Sequence, residues 1–584
     1  MLKILKQLNK KDYCLIILCI IFIVFQVYLD LKIPEYMSTI TKLIESNNTK
    51  ILSIIKEGLW MLLCTFGSLT SMIIVGYITS YLASDFSYNI RKKIFNKVCN
   101  FGTSEIKKFK TSSLITRTTN DVTQIEMFLS MGLQLLIKSP IMAIWAIYKI
   151  INKNLTWSIL VGGCVLVLLI TIFIIFLLVF PKFEIVQKLI DKVNNTIGEN
   201  LIGIRVVRAF NAEKFTENKF NNINEDLTRT QLFVGKCFSL LSPMMNLVMH
   251  GLTLGIYFIG AIIIEKASLL DKITLFSDMV VFSSYGMQVI ASFLMLAFIL
   301  IILPRANVSA NRIVEVIDSE ISIKDSNKDD VKELEENTVV FNNVSFKYPD
   351  SQEYLLKDIS FEAKSGETIA FIGSTGSGKS TLINLIPRFY DVTEGEILIN
   401  GINVKDYKLK TLREKIGYIS QKAIMFNGSV KDNVTFGSKT KDIKRVSEAI
   451  EIAQASEFVD KMDRGINSHI AFGGTNISGG QKQRLSIARA IYKNPSIYIF
   501  DDSFSALDYK TDYKLREELK KYTKNSIKLI VAQRIGTIIN ADKIVVLDNG
   551  ECVGIGTHKQ LLKTNKVYKE IAYSQLSKEE LENA

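Results

Sequence analysis

The sequence predicts an α-helical membrane domain of six transmembrane helices, followed by a soluble α/β domain. Three observations lead to this prediction. Residues 1–317 contain six long apolar runs, residues 338–584 alternate strand-like and helix-like patterns, and the stretch between them is polar and acidic. That stretch, residues 318–337, has no aromatic side chain and is typical of a linker.

The composition supports this division and excludes several other classes of protein. The chain has 584 residues, which is too long for one compact domain, and its 8 prolines exclude a collagen-like repeat. The net charge is +13, and residues 1–317 alone carry 32 basic and 20 acidic side chains. Because this positive excess lies beside apolar runs, it indicates anchoring at the cytoplasmic face of a lipid bilayer, with no nucleic-acid partner.

The cysteines indicate neither a disulfide framework nor a zinc site. Their number is odd, their spacing is irregular, and several fall inside apolar runs, where they act as small hydrophobic side chains. They are Cys14, Cys19, Cys64, Cys99, Cys164, Cys237 and Cys552.

The first apolar run, Cys14–Tyr28, follows a short basic segment. No small-residue cleavage site follows it and more apolar runs come later, so we interpret it as a signal anchor rather than a cleaved signal peptide. The later runs each have, or can be extended to, the ~20 residues that cross ~30 Å of hydrocarbon. They are Leu59–Leu82, Ile141–Ile151 with its flanks, Trp157–Phe180, Phe238–Ile264 and Leu275–Leu303.

An even number of spans places both termini on the same side of the membrane. The two long connections, residues 84–138 and 182–237, are dense in Lys and Arg, whereas the other connections are short. The excess of positive charge in cytoplasmic loops therefore places both long loops, the N-terminus and the α/β domain in the cytoplasm. We expect the membrane helices to continue beyond the bilayer within these loops and to turn there.

In the α/β domain, residues 368–381 form a strand, a glycine-rich loop and the start of a helix, which is the P-loop pattern in its required context. Such a loop directs backbone N–H groups at phosphate oxygens, and the helix N-terminus adds a partial positive charge. Lys379 can reach the β- and γ-phosphates of a nucleotide, and the Ser380 hydroxyl can bind Mg²⁺. The expected nucleotide-binding residues are Gly373, Ser374, Thr375, Gly376, Ser377, Gly378, Lys379, Ser380 and Thr381.

Two further segments complete a nucleotide site. The apolar strand at residues 496–502 ends in Asp501, which can hold Mg²⁺ through water. Between the two motifs, Ser478, Gly479, Gly480 and Gln481 begin a helix. They form either a simple cap and tight turn or a second phosphate site that would close over the ATP held by another copy of the domain.

With these residues in place, the chain resembles an ATP-binding cassette (ABC) exporter half-transporter of the multidrug type. The resemblance implies that Tyr348 stacks on adenine and that Gln421 contacts Mg²⁺ and meets the membrane domain. It implies that Ile477–Gln481 is the signature motif, with Ile in place of the usual Leu. Residues 112–122 and 199–213 resemble the family's two cytoplasmic loops, which carry the coupling helices, and residues 311–318 resemble the segment after the sixth span.

The chain departs from the family pattern at the positions that support hydrolysis. Asp502 stands where the family has the catalytic Glu, and Gln533 stands where it has the switch His. A carboxylate that is one methylene shorter sits ~1.5 Å farther from the attacking water, and errors of ~1 Å can cost ~10²-fold in rate. Gln533 can hydrogen-bond phosphate but carries no positive charge. Phe472 also replaces the polar residue expected near the signature.

We therefore expect ATP and Mg²⁺ to bind, with weak turnover at this chain's own site. The metal ligands expected are Ser380, Gln421 and Asp501, and the residues expected to act in catalysis are Lys379, Gln421, Ser478, Gly480, Asp502 and Gln533. The pattern favours a heterodimer with a second, different ABC half-transporter whose Glu and His are intact. Two alternatives stay open: a homodimeric exporter that hydrolyses ATP slowly, and a regulatory subunit that binds ATP without turnover.

The expected cargo is an amphiphilic or hydrophobic molecule such as a drug, a lipid or a peptide-like compound, exported across the plasma membrane of a bacterium. Tyr285, Gln288 and Ser292 fall on one face of the sixth span. This face either lines a cavity or packs against a neighbouring helix.

Overall fold

The structure is a computed structural model that describes residues 2–45, 51–151, 155–326 and 336–577. Residues 327–335 of the predicted linker, and parts of two predicted short loops (46–50 and 152–154), lie outside the described residues. The chain divides into two units. One contains Met1–Cys99 and Thr111–Ser319, and the other contains Asn100–Lys110 and Glu320–Ala584.

Up to Asp318, the residues that the structure describes are almost entirely helical. A five-residue π-helix, Phe128–Gly132, precedes α7. The α-helices, in chain order, are α1 (Leu2–Leu5), α2 (Lys10–Glu45), α3 (Ile51–Cys99), α4 (Thr103–Phe109), α5 (Thr111–Thr118), α6 (Asn120–Met127), α7 (Leu133–Ile151), α8 (Leu155–Ile202), α9 (Ile204–Ala209), α10 (Glu213–Ser239), α11 (Leu241–Glu265) and α12 (Leu269–Asp318).

Within the described residues, six helical stretches are long and apolar enough to cross a membrane, which confirms the predicted spans. Apolar side chains surround these helices on all sides, as expected where one face meets lipid and the other meets a neighbouring helix. Pro140 lies inside α7 without ending it. Several of the helices continue well past their apolar spans: α3 runs to Cys99 and α8 to Ile202.

The apolar core of the first unit draws on α2, α3, α7, α8, α11 and α12, with aromatic side chains of α8 and α12 in contact. Trp157 and Phe282 are fully buried, with ring centroids 5.4 Å apart. Gly260 on α11 allows that helix to pack closely against α12, because a Cβ at position 260 would lie 2.4 Å from the sulfur of Met279 on α12. Small residues at such crossings are typical of helices packed in a membrane.

The loop and post-span segments that resemble the family meet in the first unit. Arg117 on α5 donates to the Arg312 carbonyl at 2.7 Å and to Glu315 at 2.8 Å. Asp121 on α6 accepts a hydrogen bond from Ser309 at 2.9 Å. These polar contacts join the first long loop to the end of α12.

The second unit is built on a mixed sheet of ten strands formed by the described residues. Its strand order is β5-β4-β1-β2-β12-β11-β3-β10-β9-β6. Strands β11, β3, β10, β9 and β6 run parallel to one another, and β1, β2, β4 and β5 form an antiparallel layer. Two further strands, β7 and β8, pair with each other in a separate two-stranded sheet. The strands of the unit are β1 (Thr338–Phe346), β2 (Leu356–Lys364), β3 (Thr368–Gly373), β4 (Glu394–Ile399), β5 (Ile402–Asn403), β6 (Ile416–Ile419), β7 (Gly428–Ser429), β8 (His469–Ile470), β9 (Ile497–Asp501), β10 (Ile527–Val531), β11 (Lys543–Asp548) and β12 (Glu551–Gly556).

Helices cover the sheet and create two apolar cores, one on each face. Alternate residues of β3 show this division, because Ala370 and Ile372 enter one core while Ile369 and Phe371 enter the other. The helices are α13 (Lys379–Leu385), α14 (Leu409–Glu414), α15 (Val430–Val434), α16 (Ile443–Ile452), α17 (Ser456–Val459), α18 (Gly479–Lys493), α19 (Tyr509–Tyr522), α20 (Ile535–Ile538), α21 (His558–Thr564) and α22 (Lys566–Tyr573). The fold class predicted from the sequence is confirmed.

Candidate nucleotide-binding site

The site is assembled at the carboxyl ends of four neighbouring parallel strands. β3 ends at Gly373, β9 at Asp501, β10 at Val531 and β6 at Ile419. The P-loop, the two aspartates, Gln533 and Gln421 follow these strand ends. Ligands of open parallel α/β sheets bind at this edge, because the connecting loops converge there.

The P-loop joins β3 to α13 through backbone conformations that favour glycine. Gly376 and Gly378 have φ values of +90° and +92°. A Cβ on Gly378 would lie 2.6 Å from a methyl carbon of Leu356, so any larger residue would displace the loop.

The Lys379 ammonium folds back over this loop. It donates to the Gly373 carbonyl at 2.9 Å, to the Ser374 carbonyl at 2.7 Å and to the Ser377 hydroxyl at 3.3 Å. Burial lowers the pKa of Lys379, while the nearby carboxylates of Asp502 and Asp501 act in the opposite direction. The charge is therefore held directly over the loop that would bind phosphate.

Ser380 and Asp501 form the candidate magnesium site. The Ser380 hydroxyl donates to one Asp501 oxygen at 2.7 Å, and the Tyr418 hydroxyl donates to the other at 3.3 Å. Burial raises the pKa of Asp501, and the two hydroxyl donors partly offset this. A hydroxyl and a carboxylate at a helix N-terminus are the oxygen ligands that Mg²⁺ takes beside nucleotide phosphates, so these residues fit the ion.

Asp502 is the meeting point of the two glutamines predicted to act in catalysis. It is buried, its φ is +47°, and one of its carboxylate oxygens accepts from Gln421 at 3.0 Å and from Gln533 at 2.9 Å. The Gln533 backbone carbonyl in turn accepts from Gln575 at 2.8 Å. We call Gln421, Asp502 and Gln533 the Asp502 clamp, because two amide groups hold one carboxylate oxygen.

Tyr348, the residue expected to stack on adenine, lies beside the P-loop helix α13. Its hydroxyl is 2.9 Å from the Thr381 hydroxyl, and its ring packs edge-on against Tyr390 with centroids 5.3 Å apart. The Lys107 ammonium lies 4.8 Å from the centre of the same ring, in cation–π contact. Lys107 was not a sequence candidate for the site, although it belongs to the first of the two basic long loops.

Ser478, Gly479, Gly480 and Gln481 begin α18 as a complete capping box. The Ser478 hydroxyl accepts from the Gln481 backbone at 3.3 Å, and the Gln481 side chain accepts from the Ser478 backbone at 2.9 Å. A Cβ on Gly480 would lie 3.2 Å from the Ala506 carbonyl, so the segment after Asp502 closely approaches this helix start. None of the hydrogen bonds recorded for the described residues joins Ser478 or Gln481 to the P-loop of the same chain.

Phe472 lies in a short 3₁₀ turn, Phe472–Gly474, just before this helix. Its side chain is 81 % exposed. The structure gives no account of why an aromatic residue stands there.

The comparisons with known proteins agree with this architecture. Residues 16–293 match the family of the ABC transporter transmembrane region, and residues 356–505 match the ABC transporter family. An uncharacterized ABC transporter ATP-binding protein of Mycobacterium tuberculosis is 36 % identical over 521 residues, which cover 88 % of this chain and 86 % of that protein. A Staphylococcus aureus protein, provisionally named a multidrug export ATP-binding/permease protein, is 32 % identical over 504 residues, 85 % of each chain.

A solved structure shows the same fold along nearly the whole length. It is described as a bacterial Atm1-family ABC exporter with ATP bound, and it matches with a TM-score of 0.82 and 22 % identity, over 95 % of this chain and 98 % of that one. Together with the identities to the bacterial relatives, the two family matches show that this chain belongs to the ABC transporter family, as a half-transporter with one transmembrane domain and one ATP-binding domain.

Proposed function

We propose that this chain is one half of a heterodimeric ABC exporter that uses ATP to move an amphiphilic or hydrophobic molecule out of a bacterial cell. In this proposal its own nucleotide site binds ATP but hydrolyses it slowly. The second half is a different chain with an intact catalytic Glu and switch His. The observation that carries the proposal is the Asp502 clamp beside a complete P-loop.

The parts that bind nucleotide are all present. Lys379 would release its loop carbonyls to pair with phosphate, and the ring of Tyr348 would support adenine. Ser380, Asp501 and Gln421 would hold Mg²⁺, which neutralises phosphate charge when it is bound. Binding therefore does not depend on the two residues that depart from the family.

The parts that activate water are weakened. Asp502 has the shorter acidic side chain, and both amides of the clamp donate to the same one of its oxygens. A general base must approach the attacking water at hydrogen-bonding distance, and a clamped, short carboxylate is poorly placed for this. Gln533 supplies a neutral donor where a cation would better stabilise the transferring phosphoryl group.

The signature segment is intact and serves the nucleotide held by the other chain. Ser478, Gly479, Gly480 and Gln481 present a capped helix N-terminus, which attracts phosphate through its backbone N–H groups and its dipole. A heterodimer would thus have one weak site and one competent site. The competent site would combine the partner's Walker motifs with this chain's signature.

The membrane domain suits an apolar or amphiphilic cargo. An apolar crevice between α8, α12 and the junction of α10 with α11 is lined by aromatic side chains, among them Phe176, Phe180, Phe183 and Phe238. Such surfaces favour hydrophobic ligands of variable shape. We place the N-terminus and the ATP-binding domain in the cytoplasm and the six spans in the plasma membrane, on the basis of the basic long loops.

The test compares two substitutions in the purified two-chain complex. Ser478→Arg puts a bulky cation at the partner's phosphate site and should abolish most ATPase activity, whereas Asp502→Asn should change it less than about 2-fold, because this site contributes little turnover. If Asp502→Asn is as damaging as Ser478→Arg, this chain hosts the main hydrolytic site and the heterodimer proposal is wrong. Full turnover by this chain alone would instead favour the homodimer.

A further inference from the structure

The membrane domain contains an ion pair that the ATP-driven mechanism does not use. Asp30 on α2 and Lys138 on α7 are paired, with a carboxylate oxygen 3.3 Å from the ammonium. The Asp30 side chain is 20 % exposed and the Lys138 side chain is 15 % exposed. Both are therefore mostly buried, but a ligand can still contact them. At about 1.5 Å per residue, each lies about 20 Å along its helix from the end at Glu45 or Ile151.

Both residues lie inside helical stretches that are long and apolar enough to cross a membrane, Asp30 in Lys10–Ile44 and Lys138 in Thr111–Ile151. Charged side chains at such depth are costly and usually mark a pathway or a ligand site. The neighbouring helices add further polar groups around the pair.

Two more helices direct polar side chains to Asp30. Ser68 on α3 donates to its carboxylate at 2.5 Å, and the Gln288 amide on α12 donates to its backbone carbonyl at 3.4 Å. Tyr285, one turn earlier on α12, donates to the Leu31 carbonyl at 3.0 Å and is fully buried. The face of α12 singled out from the sequence therefore packs on α2 at Tyr285 and contributes a polar group at Gln288.

Two buried acceptor atoms of this cluster have no donor among the described residues. They are the side-chain carbonyl oxygens of Gln26 and Gln288. Gln26 is 2 % exposed and lies one helical turn before Asp30 on the same face of α2. A buried acceptor without a donor costs stability, which proteins tolerate where a ligand supplies the donor. We call Gln26, Asp30, Ser68, Lys138 and Gln288 the intramembrane cluster.

A second group of charged residues on α2 and α7 provides a comparison, because within the described ranges its hydrogen bonds leave no buried side-chain oxygen without a partner. Glu35 on α2 accepts from Lys32 at 2.5 Å and from Lys149 at 2.6 Å, closer to the ends of α2 and α7. The side chains of Glu35 and Lys149 are 31 % and 33 % exposed, and neither belongs to the group with an unpartnered buried oxygen. The intramembrane cluster differs in being deeper and in having spare acceptors.

The charge and hydrogen-bonding pattern defines what the cluster can accept. A simple cation would pair with Asp30 but leave Lys138 unpaired, and a simple anion would do the reverse, each at a high cost in a low dielectric. A zwitterion can pair its cation with Asp30 and its anion with Lys138, so that no charge is left without a partner. Because the two spare protein atoms are acceptors, the cationic end of the ligand must carry N–H donors.

We propose that the intramembrane cluster binds the polar group of the exported molecule, and that this group is a zwitterion with a primary ammonium and a phosphate or carboxylate. The ammonium takes the place of Lys138 beside Asp30 and donates to Gln26 and Gln288, while the anionic end pairs with Lys138. A quaternary ammonium lacks N–H groups and cannot satisfy the two oxygens. The inference rests on the proposed function only in taking the ligand to be the cargo.

The experiment measures binding without ATP, on the purified full-length chain with any partner that copurifies, in a non-ionic detergent. The probes for titration calorimetry are dihexanoyl phosphatidylethanolamine, dihexanoyl phosphatidylcholine and the zwitterionic dipeptide leucyl-leucine. We expect the ethanolamine lipid, the dipeptide or both to bind about 10-fold or more tightly than the choline lipid, the scale at which buried unpaired groups act. Binding of the lipid alone assigns a lipid headgroup, and binding of the dipeptide alone assigns a peptide-like cargo.

Matched variants separate ligand binding from helix packing. Asp30→Asn combined with Lys138→Met leaves no unpaired charge and should abolish the preference for the primary ammonium. The control, Glu35→Gln combined with Lys149→Met, should keep it. Gln26→Met keeps the shape of the side chain and should weaken binding about 5-fold while the thermal midpoint stays the same or rises, because an unpartnered oxygen is removed.

Equal binding of both lipids with no dipeptide binding, or an unchanged preference in the neutral double variant, would overturn the inference. A fall in the thermal midpoint of Gln26→Met with unchanged binding would also do so, because it would assign Gln26 a packing role. Neither result touches the proposed function, which is decided by ATP-dependent activity in the complex.

Discussion

At the residue scale, Lys379 is the side chain on which nucleotide binding depends most directly. We expect Lys379→Ala to weaken binding of a fluorescent ATP analogue to this chain's site by about 10-fold or more, because it removes a charge-assisted contact to phosphate. Lys357→Ala is the control, since Lys357 lies in the same domain and its side chain is 53 % exposed. Unchanged affinity in Lys379→Ala would refute the P-loop assignment.

Tyr348 permits a finer test because its ring and its hydroxyl have separate partners. Tyr348→Ala should cost about 10-fold in nucleotide affinity, since stacking on a base contributes about 1–3 kcal/mol. Tyr348→Phe keeps the ring and loses only the contact with Thr381, so it should cost about 3-fold or less. Equal losses in both variants would mean that the hydroxyl, and not the ring, matters.

The sequence was sufficient to predict the positions of the P-loop and Asp501 but not the Asp502 clamp. The P-loop is local, so its pattern of glycines, strand and helix can be found along the chain. The clamp joins residues 421, 502 and 533, which follow three different strands, and its geometry depends on the order of those strands in the sheet. Lys107 was missed for the same reason, because only folding brings it to Tyr348.

At the element scale, α18 links the signature segment to the rest of the domain through Arg489. This half-buried guanidinium donates to the Asn433 carbonyl at 2.8 Å and to the Asn433 side chain at 3.2 Å. It also lies 5.6 Å from the centres of the Phe426 and Phe436 rings. Burial lowers the pKa of Arg489 to about 10.

We therefore expect Arg489→Met to destabilise this domain by about 1–3 kcal/mol, because it removes two hydrogen bonds to Asn433 and a half-buried cation–π contact. The measurement is the thermal unfolding midpoint of the purified full-length chain, which should decrease. Lys444→Met, an exposed change on nearby α16, is the control and should move the midpoint little. A midpoint equal to that of the native chain would show that α18 is held by its apolar face alone.

In the membrane domain, hydropathy predicts the number of spans but not where each helix ends. The apolar runs predicted six spans, because a run of ~20 apolar residues matches the thickness of the hydrocarbon core and is uncommon in soluble proteins. The sequence predicted that the sixth span ends at Pro304 and Arg305, with a separate helix-like stretch to Val316, whereas α12 continues through Pro304 to Asp318. That end of α12 is polar and is held by Arg117 and Asp121 from the first long loop, a contact between residues about 190 positions apart that no local pattern reveals.

At the scale of the whole molecule, the proposed heterodimer combines a chain that has the residues expected to bind nucleotide with a partner that supplies the catalytic Glu and the switch His. Two such chains would form two weak sites, whereas this chain with an intact partner would form one weak and one competent site. ATP bound at the weak site would hold the two domains together while the other site cycles. In the proposed heterodimer, the Asp502 clamp would therefore affect the ATPase cycle of the whole complex.

If Asp502 and Gln533 silence this site, restoring the family residues should partly repair it. Asp502→Glu extends the carboxylate toward the attacking water, and Gln533→His removes one donor of the clamp and restores a γ-phosphate contact that can carry charge. Both positions follow strand ends at the nucleotide edge, so the fold should be little affected. The background is a complex whose partner has its own catalytic Glu neutralised, so that turnover starts low.

In that background we expect the double change to raise ATPase activity by about 10-fold or more, the scale on which a positioned general base acts. Each single change should give less, and the two effects should not simply add, because both act on one transition state. Adding Lys379→Ala should return the activity to background, which would place the gained turnover at this chain's own P-loop. No gain from the double change would mean that another feature, such as the partner's signature, silences the site, and the role assigned to the clamp would then be wrong.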